Sequence, residues 1–202
     1  MLNSAVNHLL ANVIPAAKDY ARAETELSAT FDDNADPSHW EIAGQHAKRR
    51  AAEVALAIDG LADRAANDLG IAPDDVRNAV AQLCVIDGTA RPGSIERVCA
   101  VANAYKHAGP LRGRHPIASE SNILAAGAGF GIDGCGVGKW GGIEVLVTER
   151  DGTARKFLGE VPWAIAGWFK FLGGQGAALP PDEYRVCGLC VKAADPASLA
   201  NG

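Results

Sequence analysis

The apolar positions of the N-terminal half recur at helical spacing. Val6, Leu9, Leu10, Val13, Ala17, Tyr20 and Leu27 step by three and four through residues 4–28, the period of one face of an α-helix. Pro15 has no backbone N–H, so a kink or break is expected in the first third of that helix. Phe31 to Pro37 reads as a polar connector. Ser38-His-Trp-Glu41 matches a capping box. From there Trp40, Ala43, Ala47, Ala51, Val54, Ile58, Leu61 and Ala65 form a long alanine-rich seam, narrow enough for a neighbouring helix to approach closely. Gly70 stands where a glycine ends a helix. Pro73-Asp-Asp75 opens a third helix with Val76, Val80, Leu83 and Cys84 on its apolar side. Residues 88–93 read as a loop, and Ser94 as the cap of a fourth helix running to His107.

The pattern changes after residue 116. Eight glycines lie between Gly127 and Gly142. Ile143 to Glu149 and Ala154 to Leu158 then alternate as two strands around Asp151-Gly152, a favoured hairpin pair. Pro162 to Leu172 reads as a helix, Glu183 to Lys192 as a last strand, and the tail from Ala194 as frayed. The expected fold is mainly α. A four-helix bundle over 1–115 is followed by a glycine-rich loop over 116–142 and a small α+β extension (hairpin, helix, strand) over 143–202, packed on the bundle.

Composition narrows the classes. Hydrophobic residues make up 48% and charged residues 21% of the 202, enough apolar material for a substantial core. The net charge of −5 argues against a globally basic nucleic-acid binder, although a local basic patch acts through its own field. The first apolar run is short and broken by Asn12 and Pro15, and no run approaches the ~20 residues of a membrane span. A cytoplasmic protein without a leader, off the membrane, is the expectation.

The motifs that suggest cofactors lack their contexts. Cys187-Gly-Leu-Cys190 has no second pair of ligands for zinc. Gly129-Phe-Gly131-Ile-Asp-Gly134 has neither the preceding strand nor the following helix of a dinucleotide fingerprint. His39, His46 and Glu53 recur every seven residues, ~10 Å apart along a helix axis and too far to share one ion. No metal and no cofactor are expected.

The chemistry concentrates near the end of the fourth helix. Glu96, Ala100, Asn103 and His107 fall on one stripe. Lys106, His107, Arg112, Arg114 and His115 follow within ten residues with no acid among them. Such a cluster suits a phosphate or other anion, so the expected ligand-binding set is Asn103, Lys106, His107, Arg112, Arg114 and His115. The plainer alternative is that His107 only caps the last helical carbonyls.

Asn103-Ala-Tyr-Lys-His107, at the end of a helix that follows a long helical pair, resembles the helix end of bacterial HEPN-like proteins. The resemblance implies a HEPN-like four-helix bundle that pairs as a homodimer. Catalytic members of that family are ribonucleases that set a His after an Arg and a gap of four to six residues. None of His8, His39, His46, His107 and His115 has an Arg at that distance; Arg97 precedes His107 by ten positions. Catalytic roles are therefore not carried over, and binding of an anionic ligand or RNA is the leading expectation. The alternatives are a divergent metal-independent ribonuclease using His107, and a small-molecule pocket under a glycine-rich lid lined by Trp140, Trp163 and Trp168. A second copy would pair through the alanine-rich seam.

Overall fold

A computed structural model of the chain describes residues 2–32, 37–107, 109–111, 113, 115–127 and 142–192. The first helical rod comprises α1 (Asn3–His8), a π-helical turn (Leu9–Val13) and α2 (Ile14–Asp32). The expected break at Pro15 is this widened turn. The proline offers no N–H to the turn before it, and its ring crowds the carbonyl four residues back. Helix α3 (Pro37–Leu69) starts one residue before Ser38, with proline at its first position. Ser38 is thus inside the helix rather than at its cap.

His8 bonds to the Ala57 carbonyl at 2.8 Å and Glu26 lies 3.9 Å from His46, so the first rod and α3 run antiparallel. The seam faces inward: Ala47, Ala51, Val54, Ile58, Leu61 and Ala65 are completely buried, while Trp40 at its start stays exposed. It packs within the chain against α2 and the later helix α5, so its alanines are not free to pair with a second copy. Gly70 ends α3 with φ +69°, and the N–H groups of Gly70 and Ile71 both reach the Ala66 carbonyl.

Helix α4 (Pro73–Ala81) buries Val76 and Val80. The segment expected as loop contains a short hairpin, β1 (Val85–Ile86) with β2 (Thr89–Ala90). Its turn, Asp87-Gly88, has positive φ at both residues, the requirement of a type I′ turn. Helix α5 (Ser94–Lys106) is preceded by Gly93 in the left-handed region, and Gly93, not Ser94, is its N-cap.

Residues 116–142 are not loop throughout. A 3₁₀ turn over Glu120–Asn122 leads into strand β3 (Ile123–Gly127). It pairs antiparallel with β4 (Ile143–Thr148), with Ala125 opposite Val145, and β4 pairs with β5 (Ala154–Lys156) around the Asp151-Gly152 turn. The expected last strand is a hairpin, β6 (Tyr184–Val186) and β7 (Leu189–Val191), turning at Cys187-Gly188 with positive φ at both. The tail from Ala194 and most of the glycine-rich stretch lie outside the described residues.

Helix α6 (Val161–Gly174) is apolar nearly all round, the mark of a helix enclosed by its own protein. It packs on α3, α4 and α5, and Trp168, Phe169, Ile165 and Leu172 are fully buried. The chain is mainly helical with a small sheet part. One apolar core includes residues from α1 through β7, so the N-terminal helices and the later α+β segment share it.

Candidate functional site

The end of α5 departs from the stripe. The helix closes at Lys106, and His107 is extended (φ −118°, ψ 127°), with its backbone N–H on the Asn103 carbonyl at 3.1 Å. Its side chain is exposed and Asn103 is half-buried, whereas Ala100 between them and Glu96 is in the core. Glu96, Asn103 and His107 therefore do not form one cluster. Lys106 turns towards α3, where its ammonium lies 2.5 Å from Asp59. Asp59 is only 2% exposed and also accepts from the Arg77 guanidinium at 3.1 and 3.3 Å. Burial alone would raise the Asp59 carboxyl, but Lys106 and Arg77 outweigh it and hold the group below its ordinary range. Lys106 is thus the partner of a buried acid.

Beyond His107 the described residues of the basic segment are anchored. Leu111 and Ile117 are buried, and the Leu111 N–H donates to the Ala118 carbonyl at 2.7 Å. Arg150, at the β4–β5 turn, clamps it: Nη2 donates to the Leu111 carbonyl at 2.6 Å, Nε to the His115 carbonyl at 3.0 Å, and its backbone N–H to the Pro116 carbonyl at 2.8 Å. Asn122 ties the far side, accepting from the Ala118 and Ser119 N–H groups and donating to the Thr148 carbonyl. Arg112 and Arg114 belong to this loop by sequence and lie outside the described residues. His115 is half-buried within it.

Arg150 has no carboxylate partner among the described residues. Its charge is set on the loop by two neutral carbonyls, and sequence reasoning missed it. As part of an Arg-Asp-Gly turn it signalled only a hairpin. Nearby, burial and Glu120 push the Tyr105 hydroxyl up to about 12, and that oxygen is buried with no hydrogen-bond partner among the described residues.

A second charged cluster joins α5 to α6. Glu160, fully buried, accepts from Arg91 (2.9 and 3.1 Å), from the Ser94 hydroxyl (2.8 Å) and from Arg97 (2.9 Å). Arg97 also donates to the Pro92 carbonyl and lies 3.5 Å from Glu149, which Arg155 holds at 2.6 Å. Arg91 lies over the Trp163 ring, 5.3 Å from its centre. Each Glu160 oxygen has charged donors, which makes the cluster a clamp rather than an open site. The available signal was Arg97 among the apolar residues of α5.

A third cluster lies between α2 and the sheet. Glu24, 3% exposed, accepts on Oε1 from the Tyr20 hydroxyl at 2.5 Å and the Val145 N–H at 3.0 Å. Its Oε2 is buried with no hydrogen-bond partner among the described residues. Burial raises its pKa to about 7, although the Tyr20 and Val145 hydrogen bonds favour the anion. Glu24 sits on the apolar stripe itself, between Tyr20 and Leu27, and an acid at that position was the readable signal.

The tryptophans do not line one pocket. Five residues of α-helix separate Trp163 and Trp168 by ~140° around the axis. Trp163 donates to the Thr89 carbonyl at the surface, and Trp168 is in the core, edge-on to Phe171. Trp140 lies outside the described residues. Cys187 is at a turn and Cys190 exposed on β7, and both are free thiols. Burial, then Glu24, pushes the Cys187 thiol up to about 12. Among the described residues no group of His, Cys, Asp and Glu has the arrangement of a metal site, and no helix is long and apolar enough to cross a membrane. Comparisons with known protein families, curated proteins and solved structures find no match for this chain.

Proposed function

We propose that this is a HEPN-like, cytoplasmic binding protein that recognises an anionic ligand (phosphate, nucleotide or RNA) at the end of α5 and the loop over 111–118. The observation that carries the reading is Arg150. Two backbone carbonyls fix its guanidinium on the loop, and no acid cancels its charge among the described residues. The pinning of Leu111, His115 and Pro116 keeps the ordering cost of binding low. Exposed His107 and its sequence neighbours Arg112, Arg114 and His115 would add donors. Lys106 contributes least to this surface, because Asp59 holds it. The family reading rests on Asn103, Lys106 and His107 and on the mainly helical fold. Any homodimer would use a surface other than the alanine seam.

Titration calorimetry with inorganic phosphate, ATP and a single-stranded RNA oligonucleotide tests the proposal. His107→Ala and Arg114→Ala should each weaken the best of these by roughly tenfold or more, the worth of a charge-assisted hydrogen bond. Affinity should also fall as salt rises. Identical affinities in wild type and both variants would overturn the proposal. RNA cleavage in EDTA, lost in His107→Ala, would replace binding by catalysis.

A further inference from the structure

Helix α2 meets the sheet through a carboxyl group with one oxygen fully used and one without a hydrogen-bond partner among the described residues. Glu24 Oε1 holds the Tyr20 hydroxyl and the Val145 N–H, while Oε2 is shut away from water and from donors among the described residues. Tyr20, Glu144, Lys156 and Cys187 surround this carboxyl. Tyr20 lies one turn back on α2, against the Phe157 ring at 5.7 Å. On β4 is Glu144, whose own carboxylate is 2.7 Å from the Lys156 ammonium of β5. The β6–β7 turn brings Cys187, with its sulfur 3.8 Å from the Ala17 carbonyl. One turn further along α2, the Ser28 hydroxyl donates to the Ile143 carbonyl at 3.1 Å. Thus, among the described residues, Glu24 and Ser28 are polar ties between α2 and the first residues of β4.

We infer that Glu24 is a proton-operated latch between α2 and the start of β4, closed while its carboxyl carries a proton and loosened when the proton leaves. In the closed state Oε2 bears the proton and no charge is buried. Loss of that proton leaves an anionic oxygen with no donor among the described residues, beside a second carboxylate that outweighs the nearby Lys156 ammonium. The two bonds to Oε1 cannot offset this, because removal from water costs a carboxylate more than two donors return. Separation of α2 from β4, which admits water to Oε2, becomes the favoured relief. The proton exchanges with solvent only, so no other reactant is needed.

The wild-type protein supplies the first test. Carbon-13 shifts of the Glu24 carboxyl, followed from pH 4 to 9, should give a midpoint near 7. Protection of the Val145 amide from exchange, corrected for the intrinsic rate at each pH, should fall about tenfold between pH 6 and pH 8. In Glu24→Gln that fall should vanish, because the amide keeps Oε1 and cannot ionise. In Glu144→Gln the midpoint should move down, since a like charge is removed. A midpoint in the ordinary carboxylate range, or the same exchange profile in wild type and Glu24→Gln, would overturn the latch.

Discussion

Arg97 and Glu160 meet at 2.9 Å with both side chains withdrawn from water, and their pairing joins α5 to the start of α6. Removing one partner of a buried pair strands the other. Glu160→Ala should therefore destabilise the protein by about 3–5 kcal/mol, leaving Arg91 and Arg97 without their carboxylate. Urea unfolding measures this directly. Arg97→Met should cost a comparable amount, and the double variant less than the sum of the two.

Asp59 makes stability pH-dependent at the acid end. Its folded carboxyl is held below the ordinary 3.8, so its contribution is present above that value and is lost as pH falls through the depressed folded pKa. Thermal melts between pH 5 and pH 2 should show the midpoint falling more steeply in wild type than in Asp59→Asn. Equal slopes would mean that the pairing with Lys106 and Arg77 carries no such linkage.

Glu24 acts in the opposite direction. Its folded carboxyl is raised from 4.5 to about 7, so its contribution is complete below pH 4.5 and declines as pH rises towards 7. The loss is of the order of 3 kcal/mol, from a shift of ~2.5 units. Glu24→Gln should be more stable than wild type at pH 8, with the advantage shrinking to nothing near pH 4. Chemical denaturation at the two pH values checks both signs.

Arg150 should matter to the loop before it matters to a ligand. Arg150→Met removes the donors to Leu111 and His115, and exchange of the Leu111 amide should quicken by roughly tenfold, from the loss of about 1–2 kcal/mol of local hydrogen bonding. Phosphate or RNA affinity should fall with it. Arg150→Lys keeps the charge but not the fork, so binding that survives in Lys and fails in Met would assign the effect to charge alone.

Helix α6 crosses α4 closely at Gly167. A Cβ there would lie 3.0 Å from the Val80 carbonyl and 3.0 Å from the Cys84 sulfur. Alanine is the better helix former by about 1 kcal/mol, but a helical backbone carbonyl cannot yield as a side chain can. Overpacking of about 1–3 kcal/mol should win, and Gly167→Ala should lower the melting temperature.

Local order was legible wherever one residue type has one physical use. The periods of Val6 to Leu27 and of Ala43 to Ala65 marked the core faces of two helices, Gly70 marked a helix end, and Asp151-Gly152 marked a turn. Asp87-Gly88 and Cys187-Gly188 carried the same kind of turn signal beside strands too short to display alternation, and they were read as loop and strand. Strand β3 was hidden because Leu124, Ala125 and Ala126 have no periodicity of their own; pairing with β4 defines them.

The partners of charged groups were beyond any reading of order along the chain. Lys106 and Asp59 are 47 residues apart, Arg97 and Glu160 63 apart, and Glu24 reaches Val145 across 121. The sequence by itself determined which faces are apolar and where helices and turns begin and end, because these follow from backbone sterics and side-chain periodicity over a few residues. Only the tertiary structure decided that α6 is central rather than appended, that Lys106 serves a buried acid, and that Arg150 carries its charge to the basic loop. Those outcomes depend on which surfaces leave water together, and burial sets the strength of every charge they bring into contact.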